Sequence, residues 1–327
     1  MPAKMRQTGV YRNGDEHMIA IIMAVYNGET YLNEQIDSLL SNTEKDFVLH
    51  IFDDGSTDRS AAVIQSYTDK YPSKIFYHRN VTNQGVIHNF LNGCLQVDAD
   101  YYMFCDQDDV WLPEKVERGI NALEKEHREN SSANSYSGQP LLYFSNFYQC
   151  NEDLSEKKEG PVYSGNIKFE NVLFYTPAFG FTILINENLR RLALGNFDHT
   201  GLPHDGWVQK VAAAFGKIIY DPTCTAYYRR HDSAVTANNA NKLSLIKNWI
   251  QNEIFGDSMR ETHYVLEHFY QVYGSRVKEE EKKLLEVYAM RSKGLAVWWR
   301  RIWFKEVLRP SVGGRMALRI CFLLGKY

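Results

Sequence analysis

The sequence predicts an α/β fold with a mixed, mostly parallel sheet and helices on both of its faces. Short apolar segments typical of buried strands alternate with amphipathic segments of helical period over the first two thirds of the chain. Three of these strands, residues 19–25, 47–52 and 101–105, end in polar turns. Ligands of open α/β sheets bind at the carboxyl ends of strands, so we expect the functional site at these turns.

Each element follows from its local pattern. Apolar residues recur at helical spacing in the segments expected to be helices, which are 29–40, 58–67, 114–126 and 208–215. Further apolar runs predict strands at 141–147, 179–185 and 218–220. Segment 127–139 is rich in Ser and Asn and predicts an exposed loop, whereas the charged segment 151–165 predicts a turn or hairpin.

Length and composition limit the number of domains and the classes of protein that are compatible with the sequence. The 327 residues suffice for one sizeable domain and an appendage, which we place at 18–238 and 239–327 after a flexible leader, 1–17. A formal net charge of −3 gives no reason to expect nucleic acid. Five widely spaced cysteines without a C-x-x-C pair indicate thiols in a reducing cytoplasm. No stretch approaches the ~20 apolar residues of a membrane-spanning helix.

An acidic turn, Asp106-Gln107-Asp108-Asp109, follows the strand at 101–105. Carboxylates two apart on an extended segment point to the same side, so Asp106 and Asp108 predict a site for Mg²⁺ or Mn²⁺. These ions take few protein ligands and complete their shells with water and phosphate oxygens, which indicates a nucleoside diphosphate as ligand. The alternative is a solvated acidic turn.

A second acidic cluster, Asp53-Asp54-Gly55-Ser56-Thr57-Asp58, follows the strand at 47–52. Gly55 permits a turn with positive φ, and Ser56 or Thr57 can cap the next helix. A dinucleotide-binding Rossmann domain would need G-x-G-x-x-G after the first strand, and residues 24–28, Ala-Val-Tyr-Asn-Gly, lack it. Phosphate is therefore expected to be held through a metal ion.

Together these motifs resemble family 2 glycosyltransferases of the GT-A fold, over roughly residues 18–235. The resemblance rests on the motifs at 24–28, 53–58, 83–89 and 106–113. Within this family the chain most resembles bacterial rhamnosyltransferases of cell-wall and capsular polysaccharide assembly. This narrower resemblance rests on the motif Asp-Gln-Asp-Asp-Val-Trp-Leu-Pro at 106–113, His-Asp-Gly-Trp at 204–207 and Tyr-Arg-Arg-His at 228–231. It implies dTDP-L-rhamnose as donor, with UDP-sugars next, and a saccharide or lipid-linked acceptor.

The resemblance also implies a set of binding residues. Those expected to contact the nucleotide sugar are Tyr26, Asn27, Asp54, Asn83, Gly85 and Asp106, with Arg229 or Arg230 on the phosphates. Tyr26 offers an aromatic face to a pyrimidine, and Asp54 can accept the hydrogen of its ring N3. The metal ion is expected on Asp108, with Asp106 reaching a bound water or the ribose and His231 completing the shell.

An inverting sugar transfer needs a base for the acceptor hydroxyl. Asp205 is the candidate, because the motif at 204–207 resembles the family's acidic motif and precedes a helix; the alternative is that Asp205 only caps this helix. Trp207 and His204 are candidates for contact with the acceptor sugar. A core tryptophan and a packing histidine are the competing interpretations.

Beyond residue 238 the chain predicts helices at 243–255, 264–273 and 279–290. Residues 291–327 carry nine Lys and Arg against the single acid Glu306, interleaved with tryptophans. This composition suits an anionic membrane surface, and the enzyme would then be peripheral at the inner face of the cell membrane. Packing on the enzyme or homo-oligomer formation is the alternative.

Two other functions remain to be weighed. A sugar-phosphate nucleotidyltransferase also combines carboxylates, metal and nucleotide, but it needs a phosphate loop rich in glycine and basic residues after the first strand. A catalytically silent assembly scaffold would have no use for the four acids at positions 54, 106, 108 and 205.

Overall fold

A computed structural model describes residues 17–131, 138–195, 198–231, 250–290 and 294–327. The chain divides into two compact units. The first comprises residues 1–166, 178–212 and 216–234, and the second comprises 167–177, 213–215 and 235–327. The expected leader, but for its last residue, and the expected boundary at 238 lie outside the described residues. Two short segments from the middle of the chain join the second unit, which the sequence did not indicate.

In the described part of the first unit, nine strands form one sheet. They are β1 Ile19–Val25, β2 Phe47–Asp53, β3 Ile75–Arg79, β4 Tyr101–Cys105, β5 Val110–Trp111, β6 Leu141–Cys150, β7 Lys157–Glu159, β8 Ile183–Asn186 and β9 Lys217–Arg229. Their spatial order is β3-β2-β1-β4-β8-β6-β9-β5, with β7 paired to β6. The pairing of β7 with β6 is antiparallel, so the charged segment after β6 does form a hairpin.

The direction of the strands gathers six carboxyl ends at one edge. β3, β2, β1 and β4 are parallel, β8 is antiparallel to both β4 and β6, and β9 is parallel to β6. Strands β6 and β9 therefore end on the same side as β1, β2 and β4. The predicted mixed, mostly parallel sheet is confirmed, and the polar turns meet where the sequence placed them.

Six helices belong mainly to this unit. They are α1 Leu32–Leu40, α2 Ser60–Lys70, α3 Val86–Gln96, α4 Lys115–Ser131, α5 Glu187–Ala193 and α6 His204–Phe215. One face of the sheet packs its apolar side chains with those of α1, α2 and α4 in a continuous core. On the other face α3 lies very close, because a Cβ at Gly93 would stand 2.6 Å from Ile22 Cγ2. Helices thus cover both faces, as predicted.

Two of the expected strands differ in extent. The segment at 179–185 begins with a 3₁₀ turn, Gly180–Thr182, before β8 starts at Ile183. The strand expected at 218–220 extends to Arg229, with irregular register against β6 between Ser145 and Tyr148. The extension matters for function because it carries the chain to the ligand-binding edge.

The second unit is helical. Its helices are α7 Ser258–Tyr273, α8 Glu279–Tyr288, α9 Leu295–Ile302 and α10 Val312–Leu323, preceded by a π-helical turn, Ile250–Phe255. Phe174 packs edge-to-face on both Tyr288 and Phe322 in the core of the unit. Most of the helix expected at 243–255 lies outside the described residues. None of the helices in the described ranges has the length and apolarity to cross a bilayer.

A stack of aromatic rings lies on strands β2 and β3. His50 Nδ1 is 3.1 Å from His78 Nε2, and the His78 ring stacks on Phe52. Burial, with a contribution from the charge of His78, lowers the pKa of His50 to about 3, and burial also lowers the pKa of His78. Both imidazoles are therefore neutral in the folded protein near pH 7.

We expect this pair to make the fold sensitive to mild acid. The unfolded chain takes up these protons near the ordinary histidine pKa of 6.5, whereas folded His50 does so only near 3. The free energy of unfolding should therefore fall as the pH drops from 6.5 towards 3, by up to about 1.4 kcal/mol per pH unit for each proton. Urea unfolding between about pH 7 and about pH 5 measures the slope. His50→Phe, which keeps a stacking ring, should flatten it; an unchanged slope would contradict the assignment.

Candidate active site

Three carboxylates from two elements converge at the carboxyl edge of the sheet. Asp106 and Asp108 follow β4, and Asp205 lies in the first turn of α6. Burial, together with the charges of Asp108 and Asp205, raises the pKa of Asp106 to about 7. Like charges held this close in a fixed loop need a positive partner, because their mutual repulsion is otherwise uncompensated. The cluster is thus suited to a cation or a cationic substrate group.

His231 lies next to this cluster. Its Nε2 lies 3.0 Å from Asp108 Oδ2, and its side chain is only 8% exposed. The Tyr31 ring packs on the imidazole at 4.9 Å between centroids. Among the described residues no three Asp, Glu, His or Cys side chains form a full metal cage. A pair of protein ligands fits Mg²⁺ or Mn²⁺, which keep several waters and take oxygens from substrate phosphate.

Gln107 joins the acidic turn to the end of β1. Its Oε1 accepts from Tyr26 N at 2.8 Å, and its Nε2 donates to Tyr26 O at 3.1 Å. A Cβ at Gly28 would lie 2.4 Å from the same Oε1, so this position has room only for glycine. The Tyr26 side chain stays 46% exposed and is available to stack on a base.

The second acidic cluster holds the neighbouring turns in place. Asp53 is buried and accepts from Ser56 N and Tyr77 OH at 2.8 and 2.7 Å, so the first acid of the doublet turns inward. Asn27 Oδ1 accepts from Thr57 N at 2.8 Å and so connects the turns after β1 and β2.

Asp54 has a similar supporting role in this structure. Its carboxylate accepts from Gln84 N and Gly85 N at 2.9 and 2.8 Å, and Gly85 adopts φ 89°, which favours glycine. These bonds fix the loop that carries the exposed Asn83 at the entrance to α3. Asp54 is 2% exposed. Contact of Asp54, Asn83 and Gly85 with the nucleotide stays a prediction.

Asp205 lies in the first turn of α6 and is partly exposed. Pro203 occupies the N-cap of α6, so Asp205 is not the capping residue. Within the described part of the chain, the donor to its carboxylate is its neighbour Gly206 N, at 2.6 Å to Oδ1, which leaves Oδ2 for another proton. One turn further on, Lys210 is buried; burial lowers its pKa to about 8, and the charge of Asp205 opposes that shift.

Trp207 lies in the core, which favours the competing interpretation of a core tryptophan, whereas contact of His204 with an acceptor stays a prediction. Trp207 is 0% exposed and donates from Nε1 to Ala193 O at 2.7 Å. His204 has both ring nitrogens buried and stacks on Phe90 at 4.6 Å between centroids. The helical period accounts for the burial of Trp207: α6 turns this residue towards the core, while Asp205, two residues earlier, lies on another side of the helix.

Arg229 makes its hydrogen bonds within the protein. Of the two arginines predicted to contact phosphate, it is therefore the less available. It is 4% exposed, and its guanidinium donates to Asp108 O at 2.9 Å, to Glu152 O and to the Glu34 carboxylate. The same group lies over the Tyr31 ring at 4.7 Å. Arg229 therefore fixes the backbone of the acidic turn at Asp108. Arg230 stays a predicted phosphate contact.

A buried lysine lies close to Asp109 of the same turn. Lys115 is fully buried, donates to Thr225 Oγ1 at 3.1 Å and lies over the Trp111 ring at 4.9 Å. Burial lowers its pKa to about 7, opposed mainly by the charge of Asp109. Sequence reasoning missed Lys115, Glu34 and Glu152. A signal existed only for Lys115, which lies two residues after the Trp-Leu-Pro motif.

Comparison with known structures places this architecture among glycosyltransferases of the GT-A fold. TarS of S. aureus, residues 1–349, in complex with UDP-GlcNAc matches 95% of this chain and 93% of its own, with a TM-score of 0.53 and 15% sequence identity. The same protein in complex with UDP matches 94% of this chain and 90% of its own, with a TM-score of 0.51 and 15% identity. At this identity the likeness establishes the fold alone.

The sequence itself identifies the family. Residues 20–180 match the family model described as Glycosyl transferase family 2, so about half of the chain is a glycosyltransferase domain of this family. A dTDP-rhamnosyl transferase of Shigella flexneri, RfbG, is 27% identical over 254 residues, which are 71% of this chain and 82% of that protein. An uncharacterised glycosyltransferase of Rickettsia typhi is 28% identical over 232 residues, 69% of this chain and 68% of that protein. The chain is thus a glycosyltransferase.

Proposed function

We propose that this glycosyltransferase moves a sugar from a nucleoside diphosphate to an acceptor hydroxyl with inversion, and that the reaction depends on a divalent cation. The observation that carries the proposal is the convergence of the acidic turn, the His231 imidazole and the Asp205 carboxylate at one edge of the sheet. The proposed metal ligands and the proposed base lie on different elements. Inverting transfer requires this separation, because the leaving diphosphate and the attacking hydroxyl stand on opposite sides of the sugar carbon.

In this mechanism each side chain has one task. Asp108 and His231 would hold the cation, with Asp106 next to Asp108. A bound Mg²⁺ or Mn²⁺ would bind the diphosphate and stabilise its developing negative charge. Tyr26 stacks on the nucleotide base, and Asp205 takes the proton of the acceptor hydroxyl as that oxygen attacks the sugar. Arg230 neutralises phosphate charge.

We further propose dTDP-L-rhamnose as the preferred donor. The relative from Shigella flexneri, named as a dTDP-rhamnosyl transferase, supports this choice because it aligns over most of both chains. UDP-sugars are the second candidate, since the structural neighbour TarS was crystallised with UDP-GlcNAc. The acceptor would be a saccharide or a lipid-linked saccharide of cell-surface polysaccharide, and the enzyme would meet it at the inner face of the cell membrane.

A donor-hydrolysis screen tests the proposed reaction. The protein, with Mn²⁺ or Mg²⁺, is incubated separately with dTDP-L-rhamnose, UDP-glucose and UDP-GlcNAc, and release of free nucleoside diphosphate is measured. Release from dTDP-L-rhamnose above the others supports the rhamnosyl assignment, and preference for a UDP-sugar corrects the donor. Pyrophosphate release from dTTP and sugar 1-phosphate, with no hydrolysis of any nucleotide sugar, would instead identify a nucleotidyltransferase.

Asp108→Ala should abolish the metal-dependent part of nucleoside diphosphate binding, because it removes the carboxylate paired with His231. Calorimetry with dTDP in the presence of Mn²⁺ and in the presence of EDTA separates that part from the metal-independent part. Asp69→Ala, on the exposed side of α2, is the control and should bind as the wild type does. Unchanged metal-dependent affinity in folded Asp108→Ala would show that Asp108 is only a turn residue.

A further inference from the structure

The last two helices expose an unusual amount of apolar surface. On α9 and just after it, Leu295, Trp299 and Trp303 are 77%, 53% and 65% exposed. On α10 and just after it the exposed apolar side chains are Val312, Met316, Ile320, Leu323 and Leu324. We call these two sets together the apolar surface. Their spacing of mostly four residues gives each helix one continuous exposed stripe.

These stripes are distinct from the faces that form the core of the unit. Ile302 after Trp299, and Leu318, Cys321 and Phe322 on α10, are buried. Both helices are thus apolar on two sides, one packed and one open. Large open apolar patches on a folded protein usually mark a binding surface.

The arginines of the same segment are held by the protein itself. Arg300 pairs with Glu306, and Arg309 pairs with Glu253 at 2.9 Å. The guanidinium groups of Arg301, Arg315 and Arg319 donate to backbone carbonyls of this unit. They keep their positive charge but cannot turn freely towards phosphate groups. The apolar surface, and not a flexible basic tail, is therefore the feature that is free to engage a partner.

We propose that the apolar surface inserts into the interfacial layer of a lipid bilayer, with α9 and α10 lying in the plane of the membrane. Helices of eight and twelve residues are too short to span a bilayer and suit this orientation. The exposed rings of Trp299 and Trp303, stacked at 6.3 Å, have the apolar body and polar N–H that the interface favours. Exposed Lys305 and Lys326 complement anionic headgroups.

Charge favours a membrane over a second copy of the chain. Residues 294–327 carry seven Lys and Arg and one Glu, so two such surfaces would bring like charges together, whereas an anionic leaflet attracts them. Because apolar contact is not screened by salt, a good part of the binding should survive high ionic strength and extend to neutral lipid. A tail that bound only by charge would be released at high ionic strength and would not bind neutral lipid. This inference is independent of the transfer reaction.

Vesicle flotation of the full-length protein tests the proposal. We expect binding to vesicles of phosphatidylcholine with phosphatidylglycerol, weaker binding to phosphatidylcholine alone, and only a few-fold loss at about 1 M NaCl. Trp299→Ser with Trp303→Ser, and separately Met316→Ser with Ile320→Ser, should each lower the bound fraction about tenfold or more. Leu95→Ser with Val162→Ser removes exposed apolar groups from the first unit and should bind as the wild type does.

Three outcomes would overturn the proposal. The first is no binding of the wild type to either vesicle; the second is binding that both stripe variants retain. The third is a dimer, detected by sedimentation, that dissociates in the stripe variants while vesicles bind neither form. Brominated phosphatidylcholine adds a direct readout, since it should quench tryptophan fluorescence in the wild type and much less in the Trp299→Ser, Trp303→Ser variant.

Discussion

Replacing Asp205 with asparagine is expected to leave nucleotide-sugar affinity nearly unchanged while glycosyl transfer falls by about two or more orders of magnitude. The amide cannot take a proton from the acceptor hydroxyl, yet it can still accept the hydrogen bond from Gly206 N and keep the first turn of α6. In the proposed mechanism the donor is held by the cation and Tyr26, so ground-state binding should not depend on this carboxylate. Calorimetry with dTDP and a transfer assay at saturating donor give the two quantities.

Asp106→Asn is the matched comparison, because it makes the same chemical change in the same cluster. Asp106 faces Asp108 and Asp205, and its loss should weaken metal-dependent nucleotide affinity as well as transfer. Thermal unfolding controls for folding in both variants. A fall of only a few-fold in transfer by folded Asp205→Asn would mean that another group accepts the proton.

The strands and turns that carry the site could be predicted from the sequence, because a strand end is recognised from its local pattern. Apolar runs followed by polar turns located β1, β2 and β4 to within a residue, and parallel strands necessarily bring such ends to one edge. The extent of β9 was not predictable in the same way. Its residues from 221 to 226 are mostly polar or small, and they are strand because they pair with β6 and β5. Tertiary pairing overrides local propensity there.

Side-chain direction was harder to predict than position. Trp207 and Asp205 are two residues apart, yet one is fully buried and the other faces the carboxylate cluster. A motif does not tell which side of a short helix meets the core, since that depends on β8 and α5 packing beside it. The same limit applies to Arg229, because its acceptors Glu34 and Glu152 lie far away in sequence.

Arg229→Lys should weaken the metal site without removing any of its ligands. Lysine keeps the charge but cannot donate at once to Asp108 O, Glu152 O and the Glu34 carboxylate, as the planar guanidinium does. The turn that carries Asp108 should then lose its fixed distance to His231. Displacement by about 1 Å can reduce catalysis about 100-fold, so we expect transfer to fall by one to two orders of magnitude.

The dependence on metal distinguishes this positioning role from direct contact with phosphate. If Arg229 acts through Asp108 and His231, Arg229→Lys should lower dTDP affinity in Mn²⁺ and leave the affinity in EDTA as in the wild type. Arg230→Ala, at the predicted phosphate contact, should lower affinity under both conditions, because loss of a charged donor does not require the ion. If both variants lose dTDP affinity equally in EDTA, Arg229 contacts the phosphate directly. The supporting contact with Glu34 would then be secondary.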